Sequence, residues 1–269
     1  MESFSYQDGQ LFAESVALTD IAQAVGSPVF VYSRAEIEQR WRDYDEAFGG
    51  RNHLICYAVK ANSNLAVLAL LAKLGSGFDI VSVGELERVL KAGGDPKKII
   101  FSGVAKKEAE MSRALEVGIH CFNIESINEL DRLNAVAESM GLVAPVSVRV
   151  NPDVDANTHP YIATGLKESK FGIAIEQASD VYARASQMHG IRITGVDCHI
   201  GSQLTEIEPF LEALDRVLEL VGDLQDQGVI LEHIDIGGGL GISYYDEHPP
   251  RPEEFILAMM DRFQDMGSR

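Results

Sequence analysis

Lys60 follows the apolar run LICYAV (54–59), where a buried strand would surface. An amine held there would be partly desolvated, which lowers its pKa and makes it nucleophilic. The alternative is a rim lysine whose stem packs on apolar surface while its charge reaches water. A second feature is the run Gly237, Gly238, Gly239, with Gly241 close behind. Glycines let backbone N–H groups approach an anion closely, and such groups form phosphate-binding nests. They equally serve tight turns that need positive φ. The spacing is not the dinucleotide fingerprint G-x-G-x-x-G, because Ile242 takes its last place. Ser202 offers one more hydrogen bond to the same anion. His199 offers an aromatic ring that can stack on a flat molecule, ligate a metal, or simply hydrogen-bond within the structure. Asp79, Glu85 and Arg149 can form an orienting charge network around these groups, or ordinary ion pairs.

These residues stand at the ends of short β-rich runs: LICYAV (54–59), FDIVS (78–82), KIIFSG (98–103), HCFNIE (120–125), VSVRVN (146–151), ITGVDCHI (193–200) and LEHIDIGGG (231–239). Between them lie segments with apolar residues at helical spacing, several closed by Gly, and a last one follows at 252–267. Alternating β and α units imply a parallel sheet covered by helices. The pattern fits an incomplete (β/α)8 barrel or an open doubly wound sheet, and leaves both open. In either, ligands meet the C-terminal strand ends. Strand alternation would put Ala58 with Lys60, Ser147 with Arg149, and Asp197 with His199. Residues 1–33 stand outside this rhythm: SYQDGQLFAESV reads as strand, turn, strand, and VALTDIAQAVGSP as a short helix. The loop 150–173 is long for its place, which suggests function.

The chain has 269 residues, and its 23 basic against 41 acidic residues give a net charge of -18. That charge argues against nucleic acid, whose backbone it would repel. Cys56, Cys121 and Cys198 lie in apolar runs, away from any CxxC or histidine cluster. They read as buried free thiols of a reducing compartment. The N-terminus shows no leader, and no stretch of about 18 apolar residues suggests a membrane span. The expected location is the cytoplasm.

YAVKAN, FDIVSVGELE, VRVNPDVDANTHPYIATGLKESKFGI, HIGSQ and DIGGGLGI occur in this order at the expected strand tips. Together they resemble the fold-type III decarboxylases that use pyridoxal 5'-phosphate (PLP). Within that group the chain is similar to the diaminopimelate decarboxylase branch, over nearly its whole length from VFVYS onward. The long NPDVDANTHPYIATGLKESKFGI segment and Gln203 set it apart from ornithine decarboxylases. The resemblance implies an α/β fold: a PLP-binding (β/α)8 barrel over 34–269, here incomplete at about seven units. Residues 1–33 would belong to the β domain of the full-length family. Lys60 would hold PLP as a Schiff base and, with His199, act in catalysis. His199 would stack on the pyridine ring, while Ser202, Gly237, Gly238 and Gly239 would bind the phosphate. Asp79, Glu85 and Arg149 would shape the surrounding network, with no metal. The implied reaction converts meso-diaminopimelate to L-lysine and CO2, in a cytoplasmic homodimer. The family chain continues into an eighth strand with an EPGR-like motif and a C-terminal β domain, which cannot be mapped here. Cys56, Cys121 and Cys198 are wrongly placed to supply the family's cysteine at the dimer interface. The chain is therefore expected to be an incomplete piece that binds PLP weakly and does not turn over substrate.

Three other readings remain. One is a non-catalytic PLP-carrying barrel of the PLP-homeostasis kind. Another is a related PLP decarboxylase acting on a different basic amino acid. The third is a metal-dependent barrel enzyme with Asp197, His199, His233 and Asp235 as ligands.

Overall fold

The computed structural model describes residues 3–154 and 171–267. The chain opens with a small antiparallel sheet of β1 (Phe4–Gln7), β2 (Gln10–Ala13) and β3 (Val16–Ala17). Asp8 and Gly9 join β1 to β2, both at positive φ, the conformation that suits a two-residue hairpin. Two helices follow, α1 (Leu18–Val25) and α2 (Arg34–Ala47). The strand-turn-strand and short-helix expectations for this region hold.

The alternation then begins. In chain order it runs β4 (Cys56–Ala58), α3 (Leu65–Leu74), β5 (Gly77–Ile80), α4 (Val83–Lys91), β6 (Ile99–Phe101), α5 (Glu108–Val117), β7 (Cys121–Ile124) and α6 (Ile127–Met140). It continues with β8 (Ala144–Asn151), the short β9 (Ile173–Ala174), α7 (Ile175–Ala185), β10 (Ile191–Cys198), α8 (Glu208–Asp226), β11 (His233–Asp235) and α9 (Pro252–Gly267). Helices α2, α4 and α6 start where serine meets glutamate three residues on. Ser33, Ser82 and Ser126 each accept from the N–H of Glu36, Glu85 and Glu129. Several stop at glycine in the left-handed region, as at Gly75, Gly118 and Gly141.

The sheet order is β11-β10-β8-β7-β6-β5-β4, with β9 paired beside β8, and every pairing is parallel. Neighbours in space are neighbours in sequence, the barrel order. A doubly wound sheet would reverse direction at a switch point. The sheet is also strongly curled. Three strand spacings separate β7 from β11, about 14 Å in a flat sheet. Yet the Asn123 amide of β7 donates to Oδ2 of Asp235 in β11 at 3.4 Å. Only a sheet bent around an interior brings them together.

Strand alternation divides two environments. Phe122, Ile124, Val146, Val148, Val150 and Val196 join the buried core between sheet and helices. Each such buried side chain contributes about 1.5–3 kcal/mol. The intervening residues, Asn123, Ser147, Arg149 and Asp197, fill the barrel interior with polar groups, all buried. Of the long loop 150–173, residues 155–170 lie outside the described residues.

Candidate active site at the barrel mouth

Lys60 differs from its sequence expectation. Strand β4 ends at Ala58, and a single 3-10 turn, Val59–Ala61, carries the lysine. Val59 is fully buried while Lys60 is exposed, so the alternation linking Ala58 to Lys60 is broken. The amine is not desolvated as expected. The turn exists because the chain must reverse quickly into α3, whose N-terminus is capped by the Asn64 side chain.

His199 stands just past β10 and is largely shielded. Burial, then the charges of Arg149 and Lys60, push its pKa down to about 4. Its ring is therefore neutral at physiological pH. The N–H of Gly238 reaches its Nδ1 at 3.4 Å. Asp79, in β5, moves the other way: burial raises its pKa to about 6, opposed by a hydrogen bond from Ser102. Asp235 adds to the rise, while Lys60 and Arg149 oppose it. Lys60, Asp79, Arg149 and His199 thus share one electrostatic neighbourhood.

Arg149 is anchored from below. Its guanidinium donates to Oε1 of Glu125 at 3.0 Å, and its Nε lies 3.9 Å from Oδ2 of Asp197. Burial and the neighbouring Asp235 raise the Asp197 pKa well above the usual carboxylate range. Glu125 also accepts the N–H of Gly103 and the N–H of Gly172. This buried carboxylate is a hub that sequence reasoning gives no weight. The available signal was its place at the end of the fourth apolar run. Glu85 does not join this network. Its carboxylate accepts the N–H of Val81 at 2.7 Å and closes the start of α4. Of the network expected from Asp79, Glu85 and Arg149, Asp79 and Arg149 interact by charge, and Arg149 has its direct partners in Glu125 and Asp197, which extend from strands flanking its own.

The glycine run is shaped by two loops meeting. The amide N–H of Leu204 donates to the carbonyl of Gly239, and that of Gly241 to the carbonyl of Leu204, at 2.9 and 2.8 Å. A Cβ on Gly237 would lie 2.3 Å from the Cys198 carbonyl oxygen, and one on Gly239 2.0 Å from that of Gly201. Both have positive φ, +71° and +106°. Gly238 differs: nothing would lie within 4 Å of its Cβ, and it is exposed. Exposed Ser202 belongs to the facing loop. Beside it, the Gln203 side chain binds both the N–H and the carbonyl of Ile242, acting as one more strand rung.

The residues gathered here fit pyridoxal phosphate. An accessible primary amine stands near a neutral aromatic ring, and an open glycine turn and a serine hydroxyl adjoin them. Oδ1 of Asp79 and Nε of Arg149 are buried without a hydrogen-bond partner, leaving polar capacity beneath the mouth. The metal quartet, by contrast, is not assembled. His233 begins β11, at the opposite end of the barrel from His199, and Asp197 faces Arg149.

The chain belongs to the pyridoxal-dependent decarboxylases: the family's pyridoxal binding domain matches residues 34–268. More particularly, it is 61% identical to a diaminopimelate decarboxylase of Pseudomonas aeruginosa, covering 97% of this chain and 63% of that protein. It is 58% identical to the enzyme of the same name from Vibrio cholerae, covering 98% of this chain and 64% of that protein. The fold superimposes on the crystal structure of diaminopimelate decarboxylase from Helicobacter pylori complexed with L-lysine. There the TM-score is 0.89 and the identity 42%, over 92% of this chain and 63% of that one. A diaminopimelate decarboxylase from M. jannaschii in complex with L-lysine gives a TM-score of 0.93 at 38% identity, over 99% of this chain and 64% of that one. The chain thus spans a little under two thirds of the length of these relatives.

Proposed function

We propose that this chain is the cofactor-binding portion of a decarboxylase that converts meso-diaminopimelate to L-lysine and CO2. The observation that carries this reading is the convergence of an exposed lysine amine, a neutral histidine and an open glycine turn at one barrel mouth. PLP, when bound, supplies an electron sink for the pair left behind as CO2 departs.

The residues divide the remaining work. Lys60 Nζ would hold the cofactor through its aldehyde carbon, and the exposure of Lys60 would keep it within reach of both cofactor and substrate amine. His199 stays uncharged, so its ring can meet a pyridine face without bringing a second positive charge to the site. Gly239 and Ser202 would offer N–H and hydroxyl donors to the phosphate, and Gly237 and Gly238 would join them once their N–H groups turn from the Asp235 carboxylate and the His199 ring. Asp79 and Arg149 set the charge beneath the site, with Arg149 fixed in place by Glu125. Glu85 acts on the site indirectly, by holding the start of α4. The substrate assignment rests on the names of the relatives, and on the long 150–173 loop and Gln203 that the sequence shares with that branch. Residues 1–33 fit a β domain separate from the barrel at 34–269, and a cytoplasmic homodimer suits a biosynthetic enzyme of this kind. No helix among the described residues is long and apolar enough to cross a membrane.

The test is an absorbance titration of the chain with PLP, followed by borohydride reduction and peptide mapping. A long-wavelength band and a label on Lys60, both absent from Lys60→Ala, are expected. A folded protein that shows no band, or a label on another lysine, refutes the reading.

A further inference from the structure

Three residues outside the barrel mouth converge at its opposite end. His120 directly precedes β7, Cys121 begins that strand, and His233 begins β11. The sequence reading set Cys121 apart from any histidine cluster, but the curl of the sheet overturns this. One ligand atom from each of the three lies within 4.8 Å of the others. Sγ of Cys121 is 3.9 Å from Nε2 of His233. The two imidazole rings have centroids 5.3 Å apart, tilted by 45°. A tetrahedral zinc ion, with bonds of about 2.0–2.3 Å, separates its nitrogen and sulfur donors by roughly 3.3–3.6 Å. The observed spacing needs side-chain adjustments of less than a methyl radius to reach that geometry.

We infer that His120, Cys121 and His233 form a binding site for one borderline-soft divalent transition ion, with zinc as its natural occupant. The donor set of two imidazoles and one thiolate suits zinc and disfavours the hard ions calcium and magnesium. The ring of His233 has a place prepared for it. Gly195 pairs with it across β10 and β11, and a Cβ there would sit 2.3 Å from its Nε2.

The thiol borders the polar barrel interior. Cys121 Sγ contacts Oδ1 of Asn123, whose amide nitrogen reaches Asp235 at 3.4 Å. Asp235 pairs in register with Asp197 of β10. They mark a barrel interior richer in carboxylates than in bases. An incoming dication would displace the thiol proton to solvent and bind the sulfur as thiolate, with no change of oxidation state. A cavity of about 320 Å³ runs beside His120, Thr194 and Glu232. Of the three ligands only His120 lines it, which gives an ion a route from solvent to that ring. The site joins β7 to β11, which do not pair with each other. It would act as a clamp on the face of the barrel where stability, not catalysis, resides. It is independent of the proposed PLP chemistry.

The test is a titration of the purified chain with cobalt(II), which reports its ligands by colour. One equivalent should bind, with visible bands of a tetrahedral ion and a near-ultraviolet thiolate charge-transfer band. Cys121→Ser should lose the charge-transfer band, while Cys198→Ser keeps it. His120→Gln, at a half-buried position, should fold normally and weaken binding by about tenfold or more. Zinc should raise the melting temperature of the parent chain, and raise it less in His120→Gln. The PLP absorbance band should be the same in these variants as in the parent. Absence of the charge-transfer band in folded protein, or its survival in Cys121→Ser, overturns the site. So does undiminished affinity in His120→Gln, which decides the question should Cys121→Ser not fold.

Discussion

Replacing Asp79 with Asn should stabilise the cofactor-free chain at neutral pH, even though it alters a residue of the site. The carboxyl is held with its pKa raised from 3.8 to about 6, chiefly by burial, and its Oδ1 has no hydrogen-bond partner. A raised pKa means the folded state binds the proton more tightly than the unfolded state. The resulting stability is fully present below pH 3.8 and is lost as the pH rises through about 6. At about 1.4 kcal/mol per pH unit, the ionised carboxylate costs about 3 kcal/mol at pH 7.5 and about half that at pH 5. Asparagine has nearly the same shape and stays neutral, so it escapes this cost. Its own fixed packing cost does not vary with pH and cancels between two conditions. The expected result is that D79N gains about 1.5 kcal/mol more, relative to the parent, at pH 7.5 than at pH 5. Urea unfolding followed by circular dichroism at both pH values measures this, provided the slopes agree. A variant whose relative stability is the same at both, or lower at pH 7.5, would refute the assignment of a buried, raised Asp79.

The two kinds of glycine in the run should separate cleanly. Gly239→Ala meets the Gly201 carbonyl at 2.0 Å with φ at +106° and should cost about 2–4 kcal/mol. Gly238→Ala meets nothing and should stay within about 0.5 kcal/mol. Equal melting temperatures for the two variants would contradict the loop geometry. Lys106 is fully buried, with Nζ 2.7 Å from Glu129, 2.7 Å from the Gly103 carbonyl and 2.8 Å from that of Asn123. Lys106→Met leaves a buried carboxylate uncompensated and should cost about 3–5 kcal/mol, much of it recovered in Lys106→Met/Glu129→Leu. A double variant no more stable than the single one would rule out the buried charge as the cause. The His199 ring should titrate near pH 4 by NMR, and the stability carried by its neutral form should fall as the pH drops from about 6.5 toward that value. A midpoint near 6.5 would show that the ring is not shielded.

The sequence by itself determined the element order, most element limits and the loops that carry chemistry. Those features are local: serine three residues ahead of glutamate starts a helix, glycine in the left-handed region stops it, and apolar runs of a few residues mark buried strands. Recurrent motifs such as YAVKAN and DIGGGLGI located Lys60 and the glycine turn, because each is confined to one strand tip. What the sequence left open was everything that depends on which strands meet. Barrel and doubly wound sheet share the same local pattern, and only the strand order and the contact between Asn123 and Asp235 separate them. The direct partners of Arg149 stay open in the sequence for the same reason. Glu85 is nearer than Glu125 to the recognisable motif, but Glu125 and Asp197 share the barrel interior with Arg149 while Glu85 turns back on its own helix. Lys60 was assigned to a strand because apolar residues precede it, whereas the chain reverses at Val59 and leaves it in solvent. His120, Cys121 and His233 are more than a hundred residues apart from first to last. Pairwise contact between them is a consequence of sheet curvature, which no local spacing encodes.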